Sequence, residues 1–256
     1  MFFLSFTAES FYDSIANKYD WFFSSKEKAI EKQTDQICSI FANHNIKTIL
    51  DCSCGNGLQS IALAKKGYVV HGGDISENMI AEAKRYAKQA EVDFYFKRSD
   101  FRNLHDNFTA EYDCVLSWGN SIPHLMNDSD LVITLKNIFL CTKNEGIAII
   151  EMRNYDYLIR EKPRFMPMRI NDVKDNFRYS ILYVLDYFID LVRFNLVYLI
   201  ENIHTGQKHM ETQSVDYNPI QKDHFIYLLS VSGFTNIITN ENNNSIIYIA
   251  EKNKSR

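Results

Sequence analysis

The chain has 256 residues with 28 Lys and Arg against 32 Asp and Glu, a net charge of −4. That length suits one full α/β core with an elaboration, and the slight acidity offers no overall basic field for a nucleic-acid backbone. No run reaches the roughly 18 apolar residues of a membrane span, so neither a membrane nor a nucleic acid is expected as a partner.

The chain opens with Met1-Phe2-Phe3-Leu4-Ser5-Phe6, which is apolar but short, lacks a basic flank and soon meets Glu9 and Asp13. It does not read as a signal peptide. Residues 7–23 are aromatic-rich, with Phe11, Ile15, Tyr19 and Phe22 at helical spacing, the pattern of a packing helix. Residues 26–44 carry Ile30, Ile37, Ile40 and Phe41 on one face and predict an amphipathic helix. Five cysteines, an odd number with one C-x-C pair and no C-x-x-C, suggest reduced thiols in a cytoplasmic protein and no metal site.

The central stretch is Asp51-Cys52-Ser53-Cys54-Gly55-Asn56-Gly57, entered by the apolar strand Thr48–Cys52 and left by a helix over Leu58–Lys66. A second strand, Tyr68–Gly72, leads to Asp74 and Ile75. A strand, a glycine turn, a helix and a strand ending in an acid form the unit that binds a nucleoside in a doubly wound sheet, with the acid on the ribose hydroxyls. Gly55 and Gly57 let the backbone turn tightly and approach a ligand. The loop lacks the G-x-G-x-x-G pattern, and Asp51 would repel a pyrophosphate. A cation with a ribose and no phosphate, S-adenosylmethionine, suits it better than a dinucleotide.

Ser76 predicts an N-cap for the next helix, and Val92–Phe96 a third strand leading to Asp100 and Phe101, an acceptor and an apolar wall of the kind an adenine ring needs. The fourth strand, Tyr112–Ser117, brings Leu116, Ser117, Asn120 and His124 to the carboxyl edge where open α/β sheets bind ligands. Asp128–Asp130 cap a helix over Leu131–Cys141, Asn144–Gly146 turn into the fifth strand Ile147–Met152, and Arg153 follows at the same edge. Beside Asn120 it makes a fork for a carboxylate; an ion pair with Glu151 or Asp156 is the competing structural role.

From about 163 to 217 the pattern becomes β-branched and aromatic. Runs over Phe177–Phe188, Leu191–His204 and Lys208–Tyr217 predict an antiparallel meander, with the Asp186–Asp190 turn the least defined. A helix over Gln221–Ser232 and strands over Phe234–Thr239 and Ser245–Glu251 close the chain. The expected architecture is α/β: a seven-stranded doubly wound Rossmann-like sheet with an antiparallel β insertion covering the acceptor site. It divides into an N-terminal lid and helix (1–45), a cofactor-binding core (46–154), an acceptor cap (155–218) and closing elements of the core (219–256).

The acidic glycine loop resembles the first motif of the class I S-adenosylmethionine-dependent methyltransferases. Gly119-Asn120-Ser121-Ile122-Pro123-His124-Leu125, Arg153-Asn154-Tyr155-Asp156-Tyr157 and Asp100-Phe101-Arg102-Asn103-Leu104 resemble more narrowly the glycine and sarcosine N-methyltransferases, over roughly residues 10–160. The resemblance implies that Asp74 and Ile75 hold the ribose. The loop Asp51, Cys52, Ser53, Gly55, Asn56 and Gly57 would line the methionine moiety, and Asp100 and Phe101 the adenine. Leu116, Ser117 and His124 would lie against cofactor or acceptor, under a lid bearing Tyr12 and Tyr19. Asn120 and Arg153 would bind the carboxylate of an amino-acid acceptor, and His124 is placed to take a proton. Ser53 and Asn56 stand where the family often has Ala and Thr, and both keep the turn. The short N-terminal arm gives no support to a family-like tetramer, so a monomer or small homo-oligomer is expected. Methylation of another small amine or hydroxyl, and cofactor binding without turnover, are the rival functions.

Overall fold

The computed structural model describes residues 7–23 and 25–254; the apolar stretch Met1–Phe6 lies outside them. The chain begins with α1 (Ala8–Ile15), a 3-10 helix over Ala16–Phe22, and α2 (Lys26–Phe41). Then come β1 (Thr48–Asp51), α3 (Leu58–Lys65), β2 (Val69–Asp74), α4 (Glu77–Gln89), β3 (Tyr95–Arg98), α5 (Leu104–Asn107), β4 (Tyr112–Ser117), α6 (Asp128–Cys141), β5 (Thr142–Arg153) and α7 (Tyr155–Glu161). Four long strands follow: β6 (Phe165–Lys174), β7 (Phe177–Tyr187), β8 (Val192–Asn202) and β9 (Lys208–Tyr217). The chain closes with α8 (Lys222–Val231), β10 (Thr235–Glu241) and β11 (Ser245–Glu251).

Seven strands form one sheet in the order β10-β11-β5-β4-β1-β2-β3. β11 runs antiparallel to both its neighbours and the other pairs are parallel. Because side chains alternate along a strand, successive residues feed two layers. Leu50, Val115, Ile150 and Tyr248 join the core formed with α6 and α8. Ile49, Cys114, Leu116 and Ile149 join the core formed with α2 and α3. This is the expected doubly wound sheet, and both of its faces are buried.

β6 to β9 form a separate antiparallel sheet in chain order. Three of its strands follow the predicted runs. The fourth, β6, was not legible: it holds Pro167, its register with β7 slips twice, and Phe165, Ile170 and Val173 are exposed. Such features mark an edge strand and erase alternation. The ill-defined turn is the four-residue connection between β7 and β8, closed by Phe188 N–H donating to the Leu191 carbonyl at 2.9 Å. Its apolar residues continue because Phe188 and Ile189 point outward. α7 was also unforeseen; Asn154 caps it by accepting from Tyr157 N–H at 2.9 Å.

The N-terminal segment lies between the two sheets. Phe11 and Ile15 of α1 are buried with Tyr179, Phe194, Tyr198 and Tyr217 from the small sheet and with Met79 and Tyr155 from the core. Polar contacts pin it on both sides. Asp13 accepts from Ser76 Oγ, Asp20 from Tyr86 Oη at 2.6 Å, and Glu9 pairs with Arg98. On the other side Lys18 pairs with Glu211, Ser14 donates to Gln213, and the Phe22 carbonyl accepts from Arg169 Nε at 3.0 Å.

At the α3 N-terminus Gly57 has φ +76°, and a Cβ there would stand 2.6 Å from Phe96 Cζ and 2.8 Å from Ala83 Cβ. Gly55, at φ +52°, has open space at the same position. Gly57→Ala should therefore lower stability by about 2–3 kcal/mol and Gly55→Ala by only about 1 kcal/mol, a difference that urea unfolding would measure.

Candidate functional site

A cavity of about 870 Å³ opens at the carboxyl edge of the large sheet beneath the N-terminal segment. Its walls include Tyr12 and Tyr19 from that segment, Cys52, Ser53 and Gly55 from the loop after β1, and Asp74 and Ile75 from the end of β2. Asp100 and Phe101 follow β3, and His124 follows β4. These ten sequence candidates therefore converge on one space.

Asp74 is at its centre. The loop folds so that Gly55 N–H donates to Asp74 Oδ2 at 2.8 Å, and Ser76 N–H donates to Oδ1 at 3.0 Å. No lysine or arginine pairs with it among the described residues. Burial pushes its carboxyl up to about 6 against the two amides that hold it ionised. Asp51 stands behind the loop, buried, accepting from Ser60 Oγ at 2.6 Å and Ser53 N–H at 3.4 Å. Burial and the charge of Asp74 raise it to about 7. A half-buried Asp74 on the wall and a buried Asp51 behind it, neither with a counter-ion among the described residues, make a site that favours a cation and disfavours a phosphate. Burial, and then Asp74, likewise lift the Tyr19 phenol to about 12.

At the opposite end Asp100 caps the 3-10 turn Phe101–Asn103. Burial raises its carboxyl, but Arg102 more than offsets this through contacts at 2.7 and 3.0 Å, leaving it below the usual range. Arg102 also reaches Asp130 at 3.3 Å. The acceptor expected for an adenine amine is thus already shared with a guanidinium.

Seven candidates do not line the cavity. Asp51, Asn56 and Gly57 shape the loop from behind, Asn56 by donating to Asp20 at 3.4 Å. Leu116 is fully buried on the α2–α3 side of the sheet, a core residue and not a wall. Ser117 lies beneath the loop, its Oγ 3.0 Å from that of Ser53. Asn120, in the left-handed region at φ +67° after Gly119 at +90°, turns its amide inward. It accepts from Arg153 N–H at 2.9 Å and donates one N–H to Tyr155 Oη at 3.2 Å, so it ties the end of β5 to the start of α7.

Arg153 makes neither of the ion pairs open to it. Gly119 N–H donates to Glu151 at 2.9 Å, and Lys222 N–H to Asp156 at 2.9 Å. The guanidinium lies 5.2 Å from the Phe194 ring, with Nη1 on the Met166 sulfur at 3.9 Å and Nε buried without a partner. Rings connect it to the cavity: Tyr12, His124, Tyr217 and Phe194 touch in series at centroid distances of 5.4, 4.4 and 4.9 Å.

Sequence reasoning missed Met79, Arg98, Trp118, Leu191 and Asp216 on the cavity wall. Trp118 directly follows β4 and was findable from that place. Leu191 and Asp216 arrive only through the docking of the small sheet, and no local pattern announces them.

A methyltransferase-domain family model matches residues 49–146. The glycine/sarcosine N-methyltransferase of Parasynechococcus marenigrum (strain WH8102) is 31% identical over 151 residues, 59% of this chain and 52% of that protein. That of Aphanothece halophytica is 28% identical over 199 residues, 77% and 69% of the two chains. The match thus spans about half the length of the first relative. Among solved structures, an S-adenosylmethionine-dependent methyltransferase from Clostridium acetobutylicum ATCC 824 has a TM-score of 0.76 at 18% identity, covering 95% of this chain and 99% of that one. The sugar N-methyltransferase KedS8 from Streptoalloteichus sp ATCC 53650 has 0.75 at 15%, covering 92% and 93%. Residues 49–146 thus match a methyltransferase domain and the whole chain has the fold of solved S-adenosylmethionine-dependent methyltransferases, whose cationic, phosphate-free cofactor suits the unpaired Asp74 on the cavity wall.

The raised carboxyls have a thermodynamic sign. Unfolded aspartates titrate near 3.8, whereas Asp74 and Asp51 do so at about 6 and about 7 when folded. In that window the folded state holds protons the unfolded chain has released, so the pair's contribution to stability falls as pH rises through it. The melting temperature of ligand-free Asp74→Asn, which cannot titrate there, should therefore fall less between about pH 4 and about pH 8 than that of wild type.

Proposed function

We propose that this protein transfers the methyl group of S-adenosylmethionine to the amine of a small amino acid such as glycine or sarcosine. The observation that carries the acceptor class is Arg153: a guanidinium over the Phe194 ring with a buried, unpartnered Nε. A buried N–H donor without an acceptor is costly, and a planar carboxylate is the partner whose geometry satisfies a guanidinium fork. The glycine/sarcosine specificity named for the relatives supports the same choice.

The bound cofactor would supply a methyl group on a positively charged sulfur. Asp74 and Ile75 would take the ribose, and Asp100 and Phe101 the base. The loop from Cys52 to Gly55 would follow the methionine portion, with Asp51 and Asn56 holding it in shape. Asn120 would act through Arg153, by fixing its main chain. Tyr12 and Tyr19 would close the site from above and exclude water, so that positioning supplies most of the catalysis.

A larger natural-product amine is the second reading. It is favoured by the place of Arg153 outside the cavity wall and by the likeness of fold to a sugar N-methyltransferase. A panel of glycine, sarcosine and an amino sugar with labelled cofactor separates the two. Turnover of the amino sugar alone removes the amino-acid reading, and tight cofactor binding with no turnover favours a binding protein. Arg153→Gln should raise the amino-acid KM at least roughly tenfold, since an unpaired buried carboxylate costs about 2–5 kcal/mol. Cofactor affinity, read by calorimetry, should stay unchanged in Arg153→Gln and be lost in Asp74→Ala.

A further inference from the structure

The pair Tyr-Asp occurs twice in the N-terminal segment, as Tyr12-Asp13 and seven residues later as Tyr19-Asp20. Both tyrosines are on the cavity wall and both aspartates are off it. Each aspartate instead bonds to a residue that carries or adjoins one of the two amides holding Asp74. Asp13 Oδ1 accepts from the Ser76 hydroxyl and, at 3.3 Å, from Asn78 N–H, while the Asp13 carbonyl accepts from Asn78 Nδ2 at 3.2 Å. Ser76 is the residue whose N–H donates to Asp74 Oδ1. Asp20 Oδ1 accepts from Asn56 Nδ2 at 3.4 Å. Asn56 follows Gly55, whose N–H donates to Asp74 Oδ2.

Ser76 is fully buried, and its hydroxyl has one proton to give. That proton goes to Asp13, and the oxygen accepts from Met79 N–H at 3.0 Å as the cap of α4. Donor and acceptor are both used, which fixes the residue whose amide faces Asp74. In the loop after β1, main-chain bonds of 2.9 Å tie Cys54 to Gly73 and Gly57 to Cys54. Gly55 and Asn56 span the gap between those ties, with Gly55 left-handed at φ +52°. Asp20 steadies the span through Asn56. It is itself held by Tyr86 Oη at 2.6 Å and Lys26 Nζ at 3.0 Å.

We propose that Asp13 and Asp20 are positioning residues for Asp74: the N-terminal segment completes the cofactor site by holding, one aspartate to each, the two residues on which the acid's amide donors depend. This rests on the assignment of the cofactor to Asp74 above. Neither aspartate touches the ligand. Docking of the segment and binding of the cofactor are thereby coupled, and each favours the other by the same factor.

Amide NMR and calorimetry test the proposal. The ligand is S-adenosylhomocysteine, which lacks the sulfonium charge and so responds less to a mere change of nearby charge. In ligand-free protein Asp13→Ala should shift the Ser76 amide proton and leave that of Gly55 in place, and Asp20→Ala should do the reverse. Each should weaken S-adenosylhomocysteine binding roughly three- to tenfold, the order of one hydrogen bond. Asp13→Asn keeps an acceptor for Ser76 and should recover most of that loss. Both amides moving together in either variant, in step with a lower melting temperature, overturn the proposal and leave the segment only a cover. Asp13→Asn binding as weakly as Asp13→Ala also overturns it, since charge alone would then be at work. Asp74→Ala tests the cofactor assignment separately. If that variant binds normally, the assignment falls and the proposal with it. If it loses binding while Asp13→Ala and Asp20→Ala bind as wild type does, the assignment stands and the proposal is overturned.

Discussion

The site depends on a carboxylate kept ionised by amides instead of by a cation. Asp74 has two main-chain N–H donors, at 2.8 and 3.0 Å. One comes from the loop after β1 and the other from the residue that caps α4. The same bonds fix the loop's shape and hold a negative charge at the cavity wall, so loop geometry and ligand charge are not separable. Gly55 must be left-handed for its N–H to face Asp74, and the buried Asp51–Ser60 bond behind it ties the loop to α3. A lysine in place of these amides would stabilise Asp74 more cheaply, and would also neutralise the property that recruits a cation.

The parts of the structure set by local rules were legible in the chain. The loop after β1, the capping serine at 76 and the alternation of the parallel strands follow from backbone conformation, short-range hydrogen bonds and the period of two. What was not legible depends on contacts between distant segments. Leu116 and Ser117 are adjacent at a strand end, but alternation sends the first into the α2–α3 core and the second under Ser53. Residue type alone did not reveal the parity. Asn120 looked like a ligand because of where it stands; its left-handed backbone and its bond to the main chain of Arg153 make it a brace. Leu191, in the β7–β8 connection, and Asp216, on β9, belong to a meander whose own pattern speaks only of a sheet.

The small sheet contributes an interior built largely from aromatic rings. Tyr179 and Tyr198 are almost fully buried along one face, with Phe194 and Tyr217 beside them, and the Tyr198 hydroxyl has no partner. Aromatic rings give large buried area with few rotatable bonds, and their hydroxyls keep polar options open inside an apolar layer. Burial raises every one of these phenols well above neutrality, so the layer holds its protons and changes neither charge nor hydrogen-bond sense with ordinary shifts of pH.

The strap formed by α1 and the 3-10 helix has contacts on two fronts, with Asp13, Asp20 and Glu9 facing the core and Ser14, Lys18 and the Phe22 carbonyl facing the small sheet. It works like a hasp between two plates. The row facing the core is the one that borders Asp74, so any lifting of the strap on that side would widen the cavity there. Traffic through the site is thereby linked to polar and ionic bonds at its margin, which loosen in salt far more readily than the packed rings beneath. The hold on a ligand and the time it stays are therefore set by different chemistry.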